Sequence, residues 1–176
     1  MRQVLPFELR AYHDLVMKPR VGDPAPAFNV DVVDPDSSEV KRLSLTDLRG
    51  QRVVLVFYPK DSTPGCTIQA CAIRGEWSAL EGRAAIFGVS VDDVKSHQKF
   101  IRKQELPYPL LSDTSKELVE AYGVWVQKSM FGKKYMGIER STIVISPEGV
   151  VEAVLEKVNP AKHLVKLMDV LSELES

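Results

Sequence analysis

The chain reads as an α/β protein built on a mixed central sheet flanked by helices, and three observations predict it. Two continuous runs of β-branched and aromatic residues, "RVVLVFYP" and "AAIFGVSVD", have the character of strands buried on both faces of a sheet. Each is followed by a stretch with helical spacing, an alternation that sets neighbouring strands parallel. The first and last strand-like pairs are joined by short turn segments, "DPDSS" and "PEGV", and read as antiparallel hairpins.

The elements follow in order. Residues 1–20, "MRQVLPFELRAYHDLVMKPR", are expected to form an N-terminal arm, with Leu5, Leu9, Tyr12, Leu15 and Val16 near helical spacing and a stop before Pro19. Residues 21–176 are expected to form one domain. "FNVDVVD" and "EVKRLSL" make the first hairpin, and "TDLRG" a helical turn capped by Thr46 and closed by Gly50. Pro59 ends the strand "RVVLVFYP"; a helix then runs from Cys66 to about Leu80 on Ile68, Cys71, Ala72, Trp77 and Leu80. After the strand "AAIFGVSVD" come a helix over "DVKSHQKFIRKQ", a short strand in "YPLLSD" and a helix over "KELVEAYGV" that stops near Gly123. "STIVIS" and "VEAVLEKV" close the sheet, and "NPAKHLVKLMDVLSEL" is a terminal helix with Pro160 in its first turn.

Composition narrows the function classes. The 176 residues, 44% hydrophobic and 27% charged, suit a globular domain with a full core. A formal net charge of −1 gives no overall attraction to nucleic acid or to an anionic membrane. The charged N-terminal stretch lacks the apolar run of a signal peptide, and no segment reaches transmembrane length, so the expected location is the cytoplasm. Two cysteines are too few for a disulfide scaffold, and in a reducing compartment they call for a chemical explanation.

Both cysteines, Cys66 and Cys71, lie in "FYPKDSTPGCTIQAC". Cys66 falls where a central strand gives way to a helix, the end of an open α/β sheet at which ligands tend to bind. With the helix starting near Gly65 or Cys66, its unpaired first-turn N–H groups and dipole favour a thiolate there. On an unbroken helix, residues five apart stand roughly 8 to 9 Å from each other at Cα, beyond the span of about 7 Å that a disulfide tolerates. Either the pair never bonds, or the first helical turn unwinds when it does.

"FYPKDSTPGCTIQAC" resembles the active-site segment of peroxiredoxins, and the spacing of its cysteines is similar to that of the Q subfamily, the bacterioferritin comigratory proteins. The resemblance extends through "GDPAPAF", "LPYPLLSD", "AYGVW" and "GKKYMGIERSTIVI", from about Val21 into the C-terminal helix. It implies a thioredoxin-like fold with an N-terminal β-hairpin and a thiol-dependent peroxidase acting on hydrogen peroxide and small organic hydroperoxides. It further implies that Cys66 is the peroxidatic nucleophile, oxidised to a sulfenic acid, with Pro59, Thr63 and Arg140 in the family's active-site positions. Arg140 would hold thiolate and peroxide by charge-assisted bonds, Thr63 would offer a hydroxyl, Pro59 would limit water, and the N–H groups of Gly65 and Cys66 would bind substrate. Cys71 would resolve the sulfenic acid as a Cys66–Cys71 disulfide, reduced in turn by a thioredoxin-type dithiol protein. No metal, flavin or nicotinamide is required.

Plainer readings stand beside these. Cys71 could be a small packed residue, and Arg74, two turns beyond Cys66, rivals Arg140 as the charge near the thiol. The same fold without turnover would serve as a redox-sensing or chaperone-like module. Scattered His13, His97 and His163 do not complete a zinc site and are expected at the surface or in caps; Trp77 and Trp125 are expected to pack. Lys128, Lys133 and Lys134, in a loop over "QKSMFGKKYMG", form a basic cluster that either orients the reductant or substrate or is simply solvated. A monomer is the default, with a dimer open because the N-terminal arm has no counterpart in the matched pattern.

Overall fold

A computed structural model describes residues 17–37 and 39–176; the helix expected before Pro19 falls outside them up to residue 16, and Met17 and Lys18 are not helical. The strands are β1 (Asn29–Val33), β2 (Val40–Ser44), β3 (Val53–Phe57), β4 (Ala85–Ser90), β5 (Leu110–Ser112), β6 (Trp125–Met130), β7 (Lys133–Ile138), β8 (Ser141–Ile145) and β9 (Val151–Leu155). The helices are α1 (Pro64–Gly75), α2 (Trp77–Leu80), α3 (Val94–Gln104), α4 (Glu117–Ala121) and α5 (His163–Glu175). Seven strands form one sheet in the order β2-β1-β5-β4-β3-β8-β9, while β6 and β7 pair separately.

The mixed direction expected from the element order is present: β3–β4 and β4–β5 are parallel, while β1–β2, β1–β5, β3–β8 and β8–β9 are antiparallel. β3 is wholly buried because both its faces are covered. Val53, Leu55 and Phe57 join the core beneath Leu118 and Val119 of α4. Val54 and Val56 join a second core with Ile73 of α1, Phe100 of α3 and Leu167 of α5. A side chain buried this fully contributes about 1.5–3 kcal/mol, so the strand that leads into the cysteine segment is firmly fixed.

Several boundaries differ from expectation. The helical turn after β2 begins at Leu45, one residue before Thr46, because Ser44 caps it: the Ser44 N–H and Oγ both donate to Asp47 Oδ2 at 2.9 Å. The helix expected to run unbroken to Leu80 stops at Gly75, and Glu76, at φ −109°, turns the chain before α2 starts. Pro160 precedes α5 instead of sitting in its first turn. Asn159 folds the chain there, its Oδ1 accepting from the Ala161 N–H at 2.9 Å, and the helix begins only at His163.

The segment expected as a lysine-rich loop is the β6–β7 hairpin. Its two-residue turn, Phe131–Gly132, has φ of 51° and 77°, the left-handed pair that matches the twist of a tight hairpin. Among the described residues no helix is long and apolar enough to cross a membrane.

Candidate active site

β3 and β8 bring the site together. Phe57, the last residue of β3, pairs with Ser141, the first of β8, so Arg140 is carried to the carboxyl end of β3, where α1 begins. The Val158 N–H donates to the Arg140 carbonyl at 2.9 Å and tethers it there.

α1 starts two residues earlier than Cys66, with Thr63 as N-cap and Pro64 at the first helical position, which makes Cys66 the third residue of the first turn. Thr63 makes no side-chain cap hydrogen bond; its Oγ1 turns back to donate to the Lys60 carbonyl at 2.8 Å. The first-turn amides therefore keep their capacity for an anion. Arg140 Nη2 donates to Cys66 Sγ at 3.4 Å, and Nη1 donates to Gln69 Oε1 at 2.5 Å. Gln69 lies one turn after Cys66 on the same helix face, so a single helix presents both the sulfur and the group that orients the guanidinium. Gly65 makes room for it, since a Cβ there would stand 3.2 Å from Arg140 Nη2. Pro59 and Thr63 are half-buried at the rim, and Cys66 is only 2% exposed.

The rival Arg74 is placed elsewhere, donating to the main-chain carbonyl of Gln104. Of the three lysines, Lys128 is the half-buried one: burial, then the Arg140 guanidinium, lowers its ammonium below the usual lysine range, while Cys66 opposes that shift. Lys133 and Lys134 are exposed. Cys71 is half-buried on the side of α1 facing α3, with Sγ 3.4 Å from Gln104 Oε1. Both thiols are free, and the helix between them is continuous.

Two histidines expected at the surface or in caps are buried instead. His97, fully enclosed, donates from Nε2 to the Leu111 carbonyl at 3.0 Å and shares a hydrogen bond of 2.7 Å between Nδ1 and Asp61 Oδ2. Asp61 also accepts from Tyr58 Oη at 2.6 Å and Ser96 Oγ at 2.8 Å, while its N–H donates to Asp92 Oδ2 at 2.9 Å. Asp61, Asp92 and His97 thus lie close enough to suggest a metal cage, but their ligand atoms are already engaged by protein groups. They fasten the loop before α1 to the start of α3. His163 is held by Thr142 Oγ1 at 2.7 Å, and burial followed by the nearby Arg140 charge pushes it down to about 4. His13 lies outside the described residues. Trp77 packs as expected, 5.9 Å from Tyr108 between ring centroids, and Trp125 packs against the β3 core.

Gln69, Gln104 and the Asp61–His97 pair were not singled out by sequence reasoning. Only Gln69 carried a usable signal, its spacing of three from Cys66.

A sulfur shielded from bulk water, at a helix start and under a fixed guanidinium, is equipped to attack an electrophilic oxygen, and proteins of this fold so equipped are thiol-dependent peroxidases. Comparison with known proteins agrees. The chain belongs to the AhpC/TSA family, whose model matches residues 21–154. It is 46% identical over 153 residues to a putative peroxiredoxin bcp of Coxiella burnetii, covering 86% of this chain and 98% of that one. It is 44% identical over 133 residues to the peroxiredoxin Bcp of Bacillus subtilis, covering 75% and 85%. Among solved structures, the Xanthomonas campestris bacterioferritin comigratory protein, studied for alkyl peroxide reduction, superposes with a TM-score of 0.76 at 36% identity over 85% of this chain and 92% of that one. A cysteine-to-serine mutant of Xylella fastidiosa PrxQ superposes at 0.81 with 29% identity, over 91% and 99%. The chain is accordingly a thiol-dependent peroxidase of thioredoxin-like fold, an enzyme that uses a peroxide substrate and a thiol reductant, and the reading as a module without turnover is set aside.

Proposed function

We propose that Cys66 is the peroxidatic cysteine, and the observation that carries this is the Arg140 guanidinium 3.4 Å from its sulfur. The thiolate attacks the terminal oxygen of hydrogen peroxide or a small organic hydroperoxide. The O–O bond breaks, the sulfur keeps one oxygen as a sulfenic acid, and the other leaves as water or alcohol after protonation. Arg140 offers its N–H groups to sulfur and to the departing negative charge, Gln69 orients it, and the Gly65 and Cys66 amides supply further donors. Thr63 contributes its hydroxyl oxygen as an acceptor while its proton is directed to Lys60. Pro59 covers the rim. The alkyl peroxide activity named for the Xanthomonas campestris relative supports extending the substrate class to organic hydroperoxides.

Cys71 is the resolving cysteine. With the helix between the thiols continuous, α1 unwinds its first turns to form the Cys66–Cys71 disulfide, which a thioredoxin-type dithiol protein in the cytoplasm then reduces. Resolution within one chain makes a monomer sufficient. Steady-state peroxide consumption with thioredoxin, its reductase and NADPH tests the assignment. Wild type turns over, and Cys66→Ser leaves only background. Cys71→Ser accumulates sulfenic acid at Cys66 and is not recycled directly by thioredoxin. A Cys66→Ser protein that retained turnover would end the assignment.

A further inference from the structure

α1 is joined to the end of α3 through one residue. Gln104 accepts from Cys71 Sγ through its side-chain Oε1 at 3.4 Å, and its main-chain carbonyl accepts from Arg74, one turn further along α1. Gln104 is the last residue of α3, and Glu105 beyond it adopts a left-handed φ of 51°, leaving the Gln104 carbonyl turned toward α1 and not into a continuing helix. Both bonds depend on α1 being helical through Arg74, and the one to sulfur is lost whenever Cys71 moves toward Cys66.

We propose that Gln104 is a positioning residue that holds Cys71 in its helical place and so sets how fast the Cys66 sulfenic acid is resolved. The inference rests on the resolving role of Cys71 stated above. In that step the Cys71 sulfur attacks the Cys66 sulfur: the S–S bond forms, the S–O bond breaks, and the hydroxyl leaves with the thiol proton as water. Before attack, the Cys71–Gln104 bond has to open, so its free energy adds to the barrier for resolution. A slow release also lengthens the interval in which a second peroxide can carry the sulfenic acid to sulfinic acid.

Rapid mixing with hydrogen peroxide, acid quenching and intact mass separates the two steps. In Gln104→Ala the oxidation of Cys66 keeps its wild-type rate, disulfide closure accelerates about fivefold, as for loss of one neutral hydrogen bond, and sulfinic acid at high peroxide falls in proportion. Gln104→Glu retains the acceptor and closes no faster than wild type. Arg74→Met, a change at an exposed side chain, accelerates closure by about twofold and keeps the test available if Gln104→Ala does not fold. Wild-type closure rates in Gln104→Ala or Arg74→Met, or a Gln104→Glu as fast as Gln104→Ala, overturn the proposal. A wild type that never loses about 2 Da on oxidation, matching Cys71→Ser, removes the resolving role itself, a different signature from closure that ignores Gln104.

Discussion

The loop from Tyr58 to Thr63 and the helix that follows it are held in opposite ways. The loop is anchored by the buried carboxylate of Asp61, which gathers Tyr58, Ser96 and His97, and by the bond from its own N–H to Asp92. Helix α1 has no such hub, and its four polar contacts are spread along its length: Arg140 reaches Cys66 and Gln69, Gln104 reaches Cys71 and Arg74, and Ile68, between the two cysteines, is 52% exposed. The difference teaches where motion is allowed. A cycle that unwinds the first turns of a helix needs a fixed point in front of them, so that Pro59 and Thr63 are in place when the helix reforms.

The largest effect that would sharpen this contrast is at the helix's own anchor. Arg140→Met should lower kcat/KM for peroxide by roughly 10²–10³, the usual loss for one oriented donor to developing charge, with little change in melting temperature. At the fixed point the balance reverses. Asp61→Asn should cost about 3 kcal/mol in denaturant unfolding, because the amide replaces one of the two accepting oxygens with a donor and leaves buried donors poorly paired. A near-neutral Asp61→Asn would break the comparison.

His163, under Arg140, adds a pH test. Its imidazole is held down to about 4 in the fold against about 6.5 when unfolded, so the neutral form is the one that folding favours. Stability from this group is complete above pH 6.5 and is lost as pH falls toward 4, by about 3 kcal/mol in all. His163→Gln, still able to bond Thr142, should flatten that acid limb in unfolding titrations. Smaller again, Tyr58→Phe should cost about 1 kcal/mol for one hydrogen bond, and Ile68→Ser less than about 0.5 kcal/mol, since its side chain stands largely in solvent. An Ile68→Ser protein that unfolded far more easily would show α1 to be anchored as firmly as the loop.

What could be read from the sequence follows from where its side chains go. β3 and β4 are legible because burial on both faces demands continuous apolar runs, and the cysteine segment is legible because its residue types are chemically specific. The β6–β7 hairpin is not, since most of its residues, including Lys128 and Met136, are not deeply buried and so impose no alternation, and Phe131 occupies a turn position where Asn or Asp would have announced it. Asp61 and His97 look like a turn residue and a polar helix residue. Only the packing of α3 against the sheet shows that they meet. Gln104 is silent for the same reason, its partners lying on a different helix.

The strand register between β3 and β8 has a consequence in time. Arg140 is 74 residues downstream of Cys66, so a nascent polypeptide leaving the ribosome exposes its cysteine well before its arginine exists. Until β8 has been made and zipped onto β3, the sulfur lacks the guanidinium that faces it in the folded chain. On the assignment proposed above, the peroxide site is therefore complete only once the sheet is, and the last part of it to be synthesised is the arginine and not the cysteine.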